Sequence, residues 1–297
     1  MTKKKIEIGA FLPSAGEFPR KYGVNNMAIR LEELGFSSLW VSDHILMPEI
    51  IKADYPFAKD KKATWDTNIA WYDSLILLSM AAAVTKNIKL GTAVLVLPLR
   101  HPIIFAKQAA TIDELSKGRL VLGIGAGWLS DEFDALNVDF KTRGKRFEEW
   151  MNISRNCWTG VPKAFDGEHY TLPEGFLTLP KPYKDDIPFL VGGHSKYAFK
   201  RAATLGNGWL PQQSALSIEP SELIEPINLM KKEVLSLGKD PEKFKIILRI
   251  NQSANSTDII ADNLNSLSEV GVNEIIVDID WSKNAAMERT ADVLLNL

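Results

Sequence analysis

Short runs of consecutive apolar residues alternate along this chain with stretches whose apolar positions recur every three or four residues. The first kind is rich in Val, Ile and Leu and bounded by Gly, Pro, Ser or Asp, as strands buried on both faces are. Such runs predict strands over 6–13, 38–43, 89–97, 119–126, 189–193, 208–211, 245–251 and 274–280. The second kind predicts helices over 24–35, 71–85, 103–115, 143–158, 197–205, 221–237, 257–270 and 285–295. Every predicted strand is followed by a predicted helix. A doubly wound sheet has five or six such units, whereas eight in one chain favour an α/β (β/α)8 TIM barrel. A plain barrel needs about 250 residues. The surplus in this chain of 297 falls in two insertions, 45–70 after the second strand and 160–186 before the fifth. The second holds Asp166-Gly167, a hairpin signal. No repeat or linker breaks the pattern, so one domain over 1–297 is expected.

Composition narrows the class. Lys and Arg number 35 against 37 Asp and Glu, a net charge of −2, which provides no basic footprint for nucleic acid or an anionic membrane. The single Cys157 excludes an intrachain disulfide and a Cys-rich metal site. The best apolar run, 74–84, has 11 residues, against about 20 for a spanning helix. The basic start is followed at once by a charged residue and a proline, so no signal peptide is read and a cytoplasmic protein is expected. The expected partner is a small-molecule substrate, with room for a homodimer.

In a barrel of this kind the active site lies at the carboxyl ends of the strands. Three of the eight Trp (Trp128, Trp209, Trp281) and three of the four His (His44, His101, His194) sit at or just beyond such ends. His169 falls in the hairpin and reads as a surface residue. The first strand ends Phe11-Leu12-Pro13-Ser14, without the paired His of metal-dependent barrel hydrolases, so no metal is expected. Two glycine clusters allow backbone to approach a ligand. Gly123-Ile124-Gly125-Ala126-Gly127 fails the dinucleotide spacing, because its third Gly comes one residue early. Gly192-Gly193-His194-Ser195 ends a strand and opens a helix, which suits a phosphate and equally suits a plain capped turn.

Longer stretches carry a resemblance. WVSDH over 40–44, LGTAVLVLPLRHP over 90–102, AKQAATID over 106–113, SKGRL over 116–120, GIGAGW over 123–128, VGG over 191–193 and GWLP over 208–211 resemble the luciferase-like monooxygenase superfamily of flavin- and deazaflavin-dependent barrels. The deazaflavin-dependent branch is the most similar. The resemblance implies a planar ring in the barrel mouth, with Asp43 and His44 beside it. It implies a bulge or non-prolyl cis peptide at Ala93–Val94 against the ring's rear face. It also implies a phosphate loop at Gly192, Gly193, His194 and Ser195. Gly125, Gly127, Trp128 and Trp209 are expected to complete the contacts. Some sugar-phosphate dehydrogenases of the superfamily carry Glu where this chain has Trp128, which argues against a sugar phosphate here.

The implied activity is hydride transfer to or from a small organic substrate, with 8-hydroxy-5-deazaflavin (coenzyme F-420) as cofactor. FMN, in a monooxygenase or reductase, is the alternative; a non-enzymatic flavin-binding protein of the same fold is the third. His44 would be the proton donor or acceptor, since imidazole changes charge near neutral pH. The insertion 45–70, with Tyr55, Phe57 and Trp65, would be lid and substrate wall.

Overall fold

Eight parallel strands close on themselves in a computed structural model that describes residues 5–56, 60–63 and 65–296. Phe57 of the expected lid and the basic start at 1–4 lie outside the described residues. In chain order the elements are β1 (Glu7–Phe11), α1 (Val24–Glu33), β2 (Ser38–Val41), α2 (Ser74–Val84), β3 (Lys89–Val96), α3 (Pro102–Leu115), β4 (Leu120–Gly125), α4 (Ser130–Ala135) and α5 (Arg143–Trp158). A small hairpin, β5 (Phe165–Asp166) and β6 (Thr171–Leu172), precedes β7 (Phe189–Gly192) and α6 (Lys196–Leu205). Then come β8 (Gly208–Leu210), β9 (Gln212–Ser214), α7 (Ile224–Ser236), β10 (Lys245–Asn251), α8 (Thr257–Glu269), β11 (Glu274–Asp278) and α9 (Asn284–Leu295).

The sheet runs β11-β1-β2-β3-β4-β7-β8-β10, and β10 pairs with β11 to close the (β/α)8 barrel. Closure leaves the barrel itself without an edge strand. β9 continues β8 beyond Pro211 and pairs with β10, so the two form one barrel strand broken at a residue that cannot donate. Packing has two layers. Inside the barrel, Trp40, Leu190, Leu210, Ile247 and Ile276 meet Phe11, Ala93 and Val94. The larger apolar layer fills the space between strands and helices. Trp40 is fully buried in the barrel and lies opposite Gly91 in the β2–β3 register. A Cβ on Gly91 would come within 2.2 Å of that indole, so the glycine makes room for the ring.

Helix ends follow local chemistry. Asp73 caps α2 by accepting from Leu75 N and Ile76 N, Pro102 occupies the first turn of α3, and Ser195 caps α6 by accepting from Ala198 N. The structure departs from the sequence expectations at the helix over 221–237, at His169 and at one unpredicted short helix. The expected helix over 221–237 is a 3-10 turn, Pro220–Leu223, followed by α7, because the Glu219 side chain accepts from Ser221 N and tightens the start. The hairpin signalled by Asp166-Gly167 forms as β5 and β6, with a connection wider than two residues. Glu149 accepts from Glu168 N and His169 N and holds that loop, with His169 half-buried rather than on the surface. The six residues of α4 were too few for periodicity to reveal. β3 shifts register between Thr92 and Leu95 beside β4, and the peptide Ala93–Val94 is cis, as the resemblance implied. No helix among the described residues is long and apolar enough to cross a membrane.

Candidate active site

The carboxyl ends of the strands surround a cavity of about 1200 Å³. Ligand pockets run about 300–1,000 Å³, so this one has room for a cofactor and a second molecule. Two chemically different ends share the cavity.

One end is aromatic and holds His44. Its ring meets Trp71 edge-on at 4.7 Å and Trp128 at 6.3 Å. Trp128 also meets Tyr55 at 5.0 Å and Trp65 at 6.0 Å, so the β4–α4 loop grips the 45–70 segment through rings. His44 Nδ1 lies 3.1 Å from Glu132 Oε2, and the other carboxylate oxygen accepts from Ile45 N at 2.5 Å and Leu46 N at 3.3 Å. Glu132 is buried on α4, four residues beyond Trp128. Burial pushes the Tyr55 phenol up from its ordinary value, against the effects of Gln212 and Arg249. The indole N–H groups of Trp65 and Trp71 are buried without a partner among the described residues. Leaving such a donor unmet costs about 1–3 kcal/mol, so the two invite an acceptor-bearing ligand.

The other end is cationic. Gly193 takes φ +108°, a conformation natural only to glycine, and turns the chain from β7 into α6. With Ser195 capping, the first turn of α6 offers free N–H groups and the positive end of its dipole. Arg201 reaches back from α6 to Glu148 at 2.9 Å and to Gly144 O at 3.2 Å. Arg143 lies over the Phe140 ring at 3.8 Å, and burial followed by the neighbouring Arg201 charge pushes its guanidinium below the ordinary value. Among the described residues neither Lys141 nor Arg143 has a carboxylate within 4.0 Å. Surplus positive charge beside a helix N-terminus is a place for an anion.

Most residues singled out in the sequence come together here. Asp43, His44, Ala93, Val94, Gly125, Gly127, Trp128, Gly192, Gly193, His194 and Ser195 all line the cavity. Their carboxylates and rings are not equally available. Asp43 accepts from Arg100 Nη1 at 2.6 Å and Nη2 at 2.7 Å, from Val96 N at 2.9 Å and from Ser74 Oγ at 3.0 Å. That carboxylate is committed to holding β2, β3 and α2 together. Trp209, expected among the ligand contacts, is fully buried off the cavity; its Nε1 donates to Gly193 O at 2.8 Å and braces the loop from behind. The tryptophans that do converge are Trp65, Trp71 and Trp128, two of them outside the strand ends. His101 packs edge-on against Tyr170 at 5.4 Å instead.

Glu132, Trp71, Arg143 and Arg201 escaped the sequence reading. No periodic signal could have found Glu132, because α4 begins only at Ser130, after Trp128, and is six residues long.

Comparison with known proteins identifies the family and the fold. The luciferase-like monooxygenase family model matches residues 9–264. The F420-dependent glucose-6-phosphate dehydrogenase of Amycolatopsis mediterranei is 29% identical over 187 residues, 62% of this chain and 51% of that protein. An F420-dependent secondary alcohol dehydrogenase, solved with an F420-acetone adduct, superposes with a TM-score of 0.78 at 20% identity, over 98% of each chain. The oxygenating constituent of 3,6-diketocamphane monooxygenase of Pseudomonas putida, solved with FMN, gives 0.74 at 15% identity, over 97% of this chain and 96% of that one.

Proposed function

The chain belongs to the luciferase-like monooxygenase family, and from that premise we propose that it is a deazaflavin-dependent oxidoreductase moving a hydride to or from a small organic substrate. One observation carries the reading: a single cavity joins a histidine held by a buried carboxylate to a glycine turn, helix N-terminus and arginine pair suited to a phosphate. The residues fit such a cofactor. The buried indole N–H groups of Trp65 and Trp71 are donors awaiting acceptors, and Arg143 and Lys141 are cations awaiting an anion.

In this reading Gly193, Ser195, Arg143 and Arg201 bind the cofactor's phosphate. Ala93 and Val94 support the ring from behind. When bound, the deazaflavin supplies the hydride chemistry. His44 gives or takes the substrate proton, and Tyr55, Trp65, Trp71 and Trp128 keep water from the reacting face.

The likeness to an FMN-containing monooxygenase supports FMN as the second reading. Titration of the purified protein with each cofactor, followed by fluorescence, separates them. Tighter deazaflavin binding, with turnover that consumes no oxygen, is expected. Tighter FMN binding with oxygen uptake would transfer the reading to the monooxygenase.

A further inference from the structure

The reading so far uses Glu132 only as the buried carboxylate that holds His44, and its two oxygens have different partners. Glu132 is 1% exposed, and one oxygen takes the amide hydrogens of Ile45 and Leu46. That oxygen is occupied by donors, which leaves Oε2 to face His44 Nδ1 at 3.1 Å. A carboxylate is an acceptor only, so Nδ1 must carry the hydrogen. In neutral His44 the lone pair then sits on Nε2; in protonated His44 the second N–H sits there.

We propose that Glu132 is a positioning residue that fixes the tautomer of His44, making Nε2 the one atom through which this histidine exchanges a proton with substrate. The inference rests on His44 being the proton-transfer group of the reading above. The same carboxylate anchors the root of the 45–70 segment through Ile45 and Leu46, so the histidine's orientation and the start of the lid share one support. Trp128, on the same loop, holds the far side of that segment through Tyr55 and Trp65. No bond is made or broken by Glu132. During reduction of a substrate the proton on Nε2 goes to the substrate atom that has gained electron density, and in the reverse direction it returns to Nε2.

Glu132→Gln is the informative change. Glutamine keeps an oxygen that can still accept from Ile45 N, so the lid root is retained. Its amide, however, offers N–H where Oε2 stood, which favours a lone pair on Nδ1 and moves the hydrogen to Nε2. Two measurements test the idea. The first uses cofactor-free protein labelled with 15N-histidine, with His44 identified as the signal lost in His44→Ala. The wild type is expected to show the Nδ1–H form, and Glu132→Gln the Nε2–H form. The second is steady-state turnover: kcat is expected to fall about 10²–10⁴-fold, the range for general acid–base groups, with KM changed less than about threefold.

A wild-type His44 in the Nε2–H form overturns the proposal, and so does an unchanged tautomer in Glu132→Gln, whatever turnover does. Should that variant fail to fold, the wild-type spectrum decides alone. Because the spectra need no cofactor, they also separate the two claims: the expected tautomers in a protein that binds neither cofactor would uphold the positioning role and remove the proposed function.

Discussion

Replacing Asp43 by Asn tests whether this residue, expected beside the cofactor ring, is first a structural clamp. Its carboxylate is wholly buried and receives four hydrogen bonds, two from the Arg100 guanidinium, one from Val96 N and one from Ser74 Oγ. Asparagine preserves shape but removes the charge and turns an N–H₂ toward one of those donors. Arg100 is only 9% exposed, so its charge stays behind without a full partner. Breaking a buried pair in this way costs about 3–5 kcal/mol. Asp73, 3.4 Å from Arg100 but 43% exposed, offsets less than about 1 kcal/mol of that. The expected loss is therefore about 3 kcal/mol, or a drop in melting temperature of roughly 5 °C for a chain of this size. Urea unfolding followed by near-ultraviolet circular dichroism measures it, and cofactor titration under folding conditions is expected to show less than about tenfold weakening. Arg100→Gln added to Asp43→Asn should recover part of the loss, because the unpaired buried charge is gone. A loss under about 1 kcal/mol, or a hundredfold weaker cofactor with unchanged stability, would refute the clamp and return Asp43 to the ligand.

Three further outcomes follow from the site. His44→Ala should lower turnover about 10²–10⁴-fold while cofactor affinity, read by fluorescence, stays within a few-fold; near wild-type turnover would remove His44 from the chemistry. Gly193→Ala forces a Cβ into φ +108° and to 3.3 Å from Ala198 Cβ, at a cost of about 1–3 kcal/mol. Cofactor binding should weaken while the barrel still melts cooperatively, and unaltered binding would place the phosphate elsewhere. Burial raises the Glu274 carboxyl above its ordinary value of 4.5, outweighing Ser38, Lys89 and Trp40, so the folded state prefers the protonated form. Stability from this group is present below that value and is lost as pH rises through the folded one. Urea midpoints at pH 5 and pH 8 should therefore show Glu274→Gln gaining on the wild type at the higher pH, and a pH-independent difference would contradict the assignment.

The order of eight apolar runs and eight amphipathic segments determined the barrel, because only parallel strands covered by helices bury both faces of such runs. Local chemistry also determined its joints: Asp73, Pro102 and Ser195 act through their own neighbours in sequence. Most of the residues read from the carboxyl ends of the strands therefore do line the cavity, His44, Trp128 and Gly192 to Ser195 among them. What each of those groups does was decided by partners far away in the chain. Asp43 lines the cavity as expected, but its carboxylate is gripped by Arg100, 57 residues on. Trp209 was drawn behind the loop by Gly193, 16 residues back. His44 received Glu132 across 88 residues, from a helix too short to leave a periodic trace. A hydrogen bond or ion pair acts over about 3 Å, and closure of the barrel alone brings such distant residues within that reach.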